Sequence, residues 1–256
     1  IESILKKTTY ENFEIIVVDN NSTDKDVIEY LNSLSKNPNI KVLRYEEPFN
    51  FSAINNFAIE IASGEVIVFL NNDTEVITPN WLEIMLGCLQ QPQVGAVGVK
   101  LYYRDDTIQH AGVVIGLSGC ADHVFKGLKK GERGYMDRAV LQQEYSAVTA
   151  ACMMTRKELF KMHGGFDEIN LPVGFNDTDY CLRLRESGYR IIFTPFVELY
   201  HHESESRSLE THKEAKYMRE RWSKYMGNDP FYNPNLSYKL PGYRISNLPR
   251  VKKPWK

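Results

Sequence analysis

The feature that most constrains the fold is the alternation of apolar runs with helix-type patterns over residues 1–90. The runs at 13–18, 40–45 and 65–70 are rich in Val and Ile and are typical of buried strands. Between and after them, apolar residues recur at helical spacing, in segments at 27–34, 52–62 and 81–86. Such alternation predicts an α/β fold with a parallel sheet, which binds its ligands beyond the carboxyl ends of the strands.

Two of the predicted strands end in clusters of amide and carboxylate side chains. These are Asp19-Asn20-Asn21-Ser22 after the first strand and Asn71-Asn72-Asp73 after the third. Such groups can bind a nucleobase edge or a ribose, and a carboxylate there can hold Mg²⁺ or Mn²⁺ while substrate phosphates supply other ligands. The same residues are favoured in ordinary turns, so each cluster by itself is consistent with either role.

Two further candidate segments lie in the second half of the chain. Asp177 and Asp179 open a predicted helix, and because residues i and i+2 point to different faces, at most one of them faces a given site. Helix capping is the alternative role for these acids. His201 follows a predicted strand and precedes Arg207, a combination that suits a metal ion or a diphosphate.

Composition excludes several classes of protein. Lys plus Arg is 31 and Asp plus Glu is 33, and a net charge of −2 argues against a nucleic-acid partner. No apolar run approaches the ~20 residues of a membrane helix. Four widely spaced cysteines without a CxxC pair favour a reducing cytosol over a disulfide scaffold or a zinc site. The turn after the first strand lacks the glycines of a dinucleotide-binding dehydrogenase.

Taken together, the motifs resemble family 2 glycosyltransferases of the GT-A fold. The residues that carry the resemblance are EIIVVDNNSTD at 14–24, ASGEVIVFLNND at 62–73, GGFDE at 164–168, FNDTDYCLRLRESGYR at 175–190 and ELYHHESESR at 198–207. The chain looks particularly like bacterial enzymes that build polysaccharide or O-antigen chains, often with rhamnose. This implies a mostly parallel central sheet flanked by helices, with a smaller mixed sheet on the acceptor side.

The resemblance also implies roles for individual residues. Asp177 would be the catalytic base, and Asp73 and His201 would bind Mn²⁺ or Mg²⁺. The nucleotide-sugar would be bound by Asp19, at its nucleobase, and further by Asn21, Asn71, Asn72, Asp73 and Arg207. The family's metal motif normally has an acid where Asn71 stands, and a Glu normally stands where this chain has Asn176.

The implied organisation is a catalytic domain at 1–207, with a nucleotide-binding half at 1–100 and an acceptor-binding half at 101–207. A charged amphipathic helix at 208–226 and an extended, proline-rich tail would complete a segment at 208–256. Ser3-Ile4 resembles a pair that follows the family's opening strand. We therefore expect that the native protein has such a strand and that it precedes this sequence.

The predicted function is metal-dependent, inverting transfer of a sugar in cell-surface polysaccharide synthesis. The donor would be a UDP- or dTDP-sugar, and the acceptor a saccharide or a lipid-linked saccharide. The predicted location is cytoplasmic, with peripheral contact to the membrane through the basic residues of the 208–226 helix. The alternative is a catalytically inactive nucleotide- or carbohydrate-binding module of a larger synthase.

Overall fold

A computed structural model describes residues 1–202, 211–239 and 242–247. Within these residues the chain forms seven α-helices and eleven strands. The helices are α1 Glu2–Lys7, α2 Lys25–Leu34, α3 Phe51–Ile61, α4 Trp81–Leu89, α5 Lys157–Met162, α6 Asn176–Glu186 and α7 Thr211–Arg221. The strands are β1 Ile15–Asp19, β2 Ile40–Arg44, β3 Val66–Leu70, β4 Thr74–Val76, β5 Val94–Tyr102, β6 Ile108–His110, β7 Val113–Ile115, β8 Ala121–His123, β9 Gln143–Glu144, β10 Cys152–Arg156 and β11 Arg190–His201.

The central layer is a seven-stranded sheet with the order β3-β10-β5-β11-β4, to which β6 and β9 add at β5 and β11. All nine residues of β5 are buried, because this strand lies between β10 and β11 and has apolar clusters on both faces. This burial explains the run of Val, Ala and Gly in β5, since small and β-branched residues pack closely on both sides of a sheet. β11 ends at His201, so this strand places His201 at one end of the sheet.

β1 and β2 form a separate, two-stranded parallel sheet. The first four residues of β1 are only half-buried, although their sequence, Ile-Ile-Val-Val, predicts a buried strand. Within the described residues β1 pairs with β2 and with no other strand, so its second edge receives no hydrogen bonds from a neighbour. One layer of packing and one paired edge leave these side chains partly accessible to solvent.

The predicted α/β class is confirmed, but the expectation of a mostly parallel central sheet is wrong. In the seven-stranded sheet only β5 and β11 pair in parallel, and the other pairings are antiparallel. The reason is that β3 pairs with β10, from the second half of the chain, and does not pair with β1 or β2. Strand–helix alternation along the sequence does not reveal which strands become neighbours.

The sequence predicts that Thr23 or Asp24 caps α2 and that Gly64 and Gly188 end α3 and α6. Asp24 caps α2, as expected, and its carboxylate accepts hydrogen bonds from the amides of Asp26 and Val27. Gly188 lies just after α6 with φ +88°, the left-handed conformation that glycine adopts readily. Gly64 does not end α3, which stops at Ile61 and has an ordinary backbone at Ala62.

The segment at 118–140 is rich in glycine and charged residues, a composition that predicts a mobile loop. It contains strand β8 and a 3₁₀ turn at Tyr135–Asp137, and a further 3₁₀ turn at Leu117–Gly119 overlaps its start. Phe125 and Tyr135 stack on Tyr243, with ring centroids 4.7 and 5.0 Å apart, which attaches this segment to the C-terminal region. The predicted 208–226 helix appears as α7, and its first residues, 208–210, lie outside the described residues. None of the helices described here is both long enough and apolar enough to cross a bilayer.

Candidate active site

Asp73 and His201 meet where β3 and β11 end. The Nε2 atom of His201 lies 3.0 Å from Oδ1 of Asp73 and 3.0 Å from Nδ2 of Asn71. The His201 ring is buried, and the Asp73 side chain is 30% exposed. Oδ1 of Asp73 is nevertheless buried and has no hydrogen-bond partner among the described residues, so its contact with His201 is not aligned as a hydrogen bond.

Gln109 explains why that contact is not a hydrogen bond. Its Oε1 lies 2.6 Å from Nδ1 of His201, and its Nε2 donates to the His201 carbonyl oxygen at 3.4 Å. This orientation of the amide places the proton of a neutral imidazole on Nδ1, where it is donated to Gln109. Nε2 then carries a lone pair, which accepts from the Asn71 amide. Two electron-rich atoms, Nε2 of His201 and Oδ1 of Asp73, are therefore in contact without a proton between them.

This arrangement fits a divalent cation. A histidine that binds a metal typically donates its second ring N–H to a carbonyl or carboxylate, as His201 does to Gln109. A cation bound by Nε2 and Oδ1 would take the Nε2 lone pair in place of the Asn71 amide and would satisfy the buried oxygen. In the part of the chain that the structure describes, no group of three or more His, Cys, Asp and Glu side chains could hold a metal. Two protein ligands suit Mg²⁺ or Mn²⁺ only where substrate oxygens complete the coordination.

Asp177 lies in the first turn of α6, with its carboxylate partly exposed. Oδ2 accepts a hydrogen bond from the Ala150 amide at 2.9 Å, and Oδ1 accepts one from the Thr178 amide at 2.6 Å. The carbonyl oxygen of Ala151, the residue after Ala150, accepts a hydrogen bond from the backbone N–H of Asn71. The turn at 150–151 therefore lies between Asp177 and the Asp73–His201 pair. Backbone donors orient the carboxylate, and its oxygens keep lone pairs for a substrate proton.

Asp179 is fully buried and has a different role. Its carboxylate forms an ion pair with Arg183 at 2.8 Å, accepts from Nε1 of Trp222 at 2.9 Å and lies 3.3 Å from Nε of Arg221. It thereby joins α6 to α7. The expectation that at most one of Asp177 and Asp179 faces a given site agrees with these contacts. Asp179 is not a cap, because the residue that precedes α6 is Phe175, with φ +58° and no side-chain cap.

The polar side chains of the cluster after β1 are bonded within the protein, to one another and to residues at the end of β2. Asp19 forms an ion pair with Arg44 and accepts from the Ser22 amide at 3.0 Å. Burial by itself would raise the pKa of Asp19, but hydrogen bonds from Ser22 and Arg44 outweigh it and lower the pKa below its usual value. Nδ2 of Asn21 donates to the Glu46 carbonyl at 2.7 Å. A cavity of about 340 Å³ lies beside Asp19, between α2 and β2.

The other sequence candidates are only partly located. Asn72 is exposed in the turn after β3, and Arg207 lies outside the described residues. Four aromatic residues, Trp81, Tyr102, Tyr103 and Tyr145, are of a type that either stacks on sugars or packs in a core. Tyr103 is half-buried, and the other three are buried in the core. Sequence reasoning missed Gln109, because a glutamine inside a short strand carries no motif, and only the fold places it against His201.

Comparison with known proteins decides the family. Residues 1–164 match the family described as "Glycosyl transferase family 2". The chain belongs to this family. The matched region contains Asp19 and Asp73, whereas Asp177 and His201 lie beyond it and are included in the longer alignments described next.

Two bacterial relatives align with almost all of this glycosyltransferase family member. A Sinorhizobium fredii (strain NBRC 101917 / NGR234) protein named "Uncharacterized protein y4gI" is 45% identical, over 96% of this chain and 28% of the relative. The "O-antigen biosynthesis protein RfbC" of Myxococcus xanthus is 39% identical, over 93% of this chain and 19% of the relative. The chain thus spans less than a third of the length of either protein.

Solved structures confirm the GT-A fold. The crystal structure of GalNAc-T7 with UDP, GalNAc and Mn²⁺ superposes with a TM-score of 0.68 at 16% identity, covering 87% of this chain and 45% of that one. The mannosyltransferase PcManGT from Pyrobaculum calidifontis, in complex with GDP-Man and Mn²⁺, superposes with a TM-score of 0.58 at 18% identity, covering 88% of this chain and 56% of that one.

Proposed function

We propose that this chain transfers a sugar, with inversion, from a nucleotide-diphosphate donor to a hydroxyl of a saccharide or lipid-linked saccharide. The observation that carries the proposal is the contact between Oδ1 of Asp73 and Nε2 of His201, two ligand atoms with no proton between them. A divalent ion, Mn²⁺ or Mg²⁺, would be held by these two residues and would neutralise charge on the leaving diphosphate.

In this proposal Asp177 is the general base. It takes the proton from the acceptor hydroxyl as the oxygen attacks the anomeric carbon, and the bond from that carbon to the diphosphate oxygen breaks with its electron pair. A single displacement inverts the anomeric centre and requires no nucleophilic side chain. The backbone amides of Ala150 and Thr178 hold the carboxylate in place for this step.

For the substrates we propose a UDP- or dTDP-sugar donor and a role in cell-surface polysaccharide synthesis. The name of the Myxococcus xanthus relative supports the role, and the UDP in the GalNAc-T7 structure supports one of the two nucleotides. In this scheme Asp19 and Asn21 bind the nucleoside, Asn71, Asn72 and Arg207 contact the rest of the donor, and residues 1–100 and 101–207 form the donor and acceptor halves.

The test is metal-dependent binding of nucleotide to the wild-type protein and to Asp73→Ala. UDP, dTDP and GDP are titrated by calorimetry with Mn²⁺ and with excess EDTA, and hydrolysis of the corresponding nucleotide-sugars is followed in parallel. We expect binding that requires Mn²⁺ and falls at least about 100-fold in Asp73→Ala, since even the loss of an outer-shell partner costs 10–100-fold. Full activity in excess chelator would contradict the metal assignment. Binding without any sugar transfer or hydrolysis would instead favour an inactive binding module.

We also propose a cytoplasmic location with peripheral contact to a membrane. The buried Met218 of α7, and Trp222 directly after this helix, pack against the core, so the apolar side of the helix is used within the protein. Lys213, Lys216 and Arg219 are exposed and are available to anionic lipid. Reversal of these three charges should reduce co-sedimentation with phosphatidylglycerol vesicles. Unchanged co-sedimentation would contradict the membrane contact.

A further inference from the structure

His123, at the end of β8, has one ring nitrogen in a hydrogen bond and one ring nitrogen without a hydrogen-bond partner among the described residues. Its Nδ1 lies 3.0 Å from the backbone carbonyl oxygen of Gln109. A carbonyl can only accept, so Nδ1 carries the proton and a neutral ring presents a lone pair at Nε2. Nε2 has no hydrogen-bond partner among the described residues, and the side chain is partly exposed. The open lone pair can therefore accept a hydrogen bond from a bound molecule.

A short series of contacts connects His123 to the proposed base. Its ring meets the edge of His110, with centroids 4.8 Å apart and planes at 79°. Nε2 of His110 accepts from the Thr149 amide at 3.3 Å, and the next amide, Ala150, donates to Asp177 at 2.9 Å. The His123 ring is therefore connected to the Asp177 carboxylate through His110 and the 149–150 backbone, and it is near enough for the Asp177 charge to act on it.

Gln109 couples the same histidine to the proposed metal ligands. Its backbone carbonyl accepts from His123, while its side chain holds His201. One residue of β6 thus orients imidazoles on both sides of the site. Burial lowers the pKa of His123 despite opposing effects of the Gln109 hydrogen bond and of the charges of Asp122 and Asp177. The ring is therefore neutral near pH 7 and is suited to accept a hydrogen bond.

We propose that Nε2 of His123 accepts a hydrogen bond from a sugar hydroxyl bound beside Asp177. This deepens the proposed function and rests on it. The hydroxyl belongs either to the transferred sugar or to the acceptor saccharide. A site that pairs a polar protein atom with one hydroxyl discriminates strongly against a substrate that lacks it, because the protein atom is then left unpaired. His123 would therefore determine which sugar the enzyme accepts.

Two substitutions of His123 distinguish the role of Nε2 from that of Nδ1. His123→Asn retains an amide donor near the position of Nδ1, so the bond to the Gln109 carbonyl survives while the distal acceptor is lost. His123→Gln places an amide oxygen near the position of Nε2 and restores that acceptor. The matched control is His163→Asn, since both nitrogens of His163 are bonded within the protein, to the Leu159 carbonyl and to Ser187. Melting temperatures are measured for all variants.

The binding arm compares UDP, dTDP and GDP with UDP-glucose, UDP-N-acetylglucosamine, dTDP-rhamnose and GDP-mannose, all with Mn²⁺. The transfer arm uses methyl glycosides of the same sugars as acceptors. In His123→Asn, nucleotide affinity should be unchanged, while either affinity for the preferred nucleotide-sugar or the acceptor KM should worsen about 10-fold. The first result assigns the hydroxyl to the donor and the second to the acceptor. His123→Gln should recover much of the loss, and His163→Asn should show none.

Wild-type parameters in both arms for a folded His123→Asn would overturn the proposal, as would equal losses in the Asn and Gln variants. If both variants unfold, monodeoxy analogues of the preferred substrate decide the question on the wild-type protein. The proposal requires that removal of one hydroxyl weakens binding or raises KM about 10-fold or more. Equal behaviour of all monodeoxy analogues would overturn it. Failure of the wild-type protein to bind any nucleotide overturns the proposed function as well, and is recognised without any His123 variant.

Discussion

The two strand ends of this protein, Asp19-Asn20-Asn21 after β1 and Asn71-Asn72-Asp73 after β3, have the same residue types and different surroundings. After β1, the carboxylate pairs with Arg44 and the amides bond to the carbonyls of residues 45–47. After β3, Oδ1 of Asp73 is buried, unpaired and in contact with His201. A polar turn becomes a candidate ligand site when the fold brings a second polar group to it and leaves one of its carboxylate oxygens unpaired.

The sheets that carry these turns differ more than the strands themselves. β1 belongs to a two-stranded sheet and its first four residues are half-buried. β3 is an edge strand with two buried residues, but it belongs to a seven-stranded sheet whose inner strands β5 and β11 are enclosed in apolar contacts. The region around β1 therefore contributes less to stability than its apolar sequence indicates, and the seven-stranded sheet provides the rigid base for Asp73, Asp177 and His201. The predictions below test this contrast, from the largest expected effect to the smallest.

Asp177→Asn should reduce sugar transfer by about 10²–10⁴-fold, because the amide retains the shape of the side chain and cannot take the proton. Binding of nucleotide with Mn²⁺ should remain close to that of the wild type, which calorimetry would measure alongside turnover. If Asp177→Asn retains full turnover while Asp179→Asn remains folded and is inactive, the assignment of the base is reversed.

Asp179→Ala should lower the free energy of unfolding by about 3–5 kcal/mol, since it leaves Arg183, Arg221 and Trp222 without their buried partner. Urea denaturation measures this loss. Glu220→Ala is the control, because its pair with Lys216 is exposed and should contribute little. Similar losses in the two variants would show that the α6–α7 contact is not a buried network.

Ile191→Ala, in the fully buried part of β11, should cost about 2–5 kcal/mol. The same change in β1, Ile16→Ala, removes a half-buried side chain and should cost about 1 kcal/mol. The two variants are compared by chemical denaturation under identical conditions. An equal cost at both positions would mean that β1 is buried as fully as the central strands, against the contrast drawn here.

Gln109→Leu should weaken Mn²⁺-dependent nucleotide binding by about 10–100-fold, because the His201 ring loses the acceptor that sets its tautomer. Gln93→Leu, at an exposed position, is the control for the loss of an amide. Calorimetric titration with Mn²⁺ and UDP measures both. Wild-type affinity in Gln109→Leu would contradict the arrangement proposed for His201.

The smallest effect concerns Asp19 and pH. Its pKa in the folded protein is lower than its ordinary value of about 3.8, so its stabilising contribution is complete above that pH and is lost as the pH falls through the lowered pKa. Asp19→Asn should therefore flatten the stability curve below about pH 4, measured by denaturation at several pH values. Asp26→Asn, an exposed acid in α2, is the comparison for the loss of one charge. Identical acid curves for wild type and Asp19→Asn would contradict the ion pair with Arg44.

The sequence by itself determined the α/β class, the approximate bounds of most helices and strands, and the family. Local periodicity, the Asp24 cap and Gly188 depend on interactions within a few residues, and such interactions can be recognised in sequence. The motifs also identified Asp73, Asp177 and His201 as candidates, although their roles remain predictions.

Only the tertiary structure decided which strands became neighbours, and hence which polar groups met. β10, from the second half of the chain, pairs with β3 and runs antiparallel to it. The pairing of β6 with β5, and of β5 with β11, brings Gln109 next to His201, which is far away in sequence. His110 likewise meets Thr149. Local patterns carry no information about such contacts, because they depend on the free energy of packing whole elements together. For the same reason, two similar polar turns differ in their contacts. The side chains after β1 are bonded to residues at the end of β2, whereas the turn after β3 contains an unpaired carboxylate oxygen.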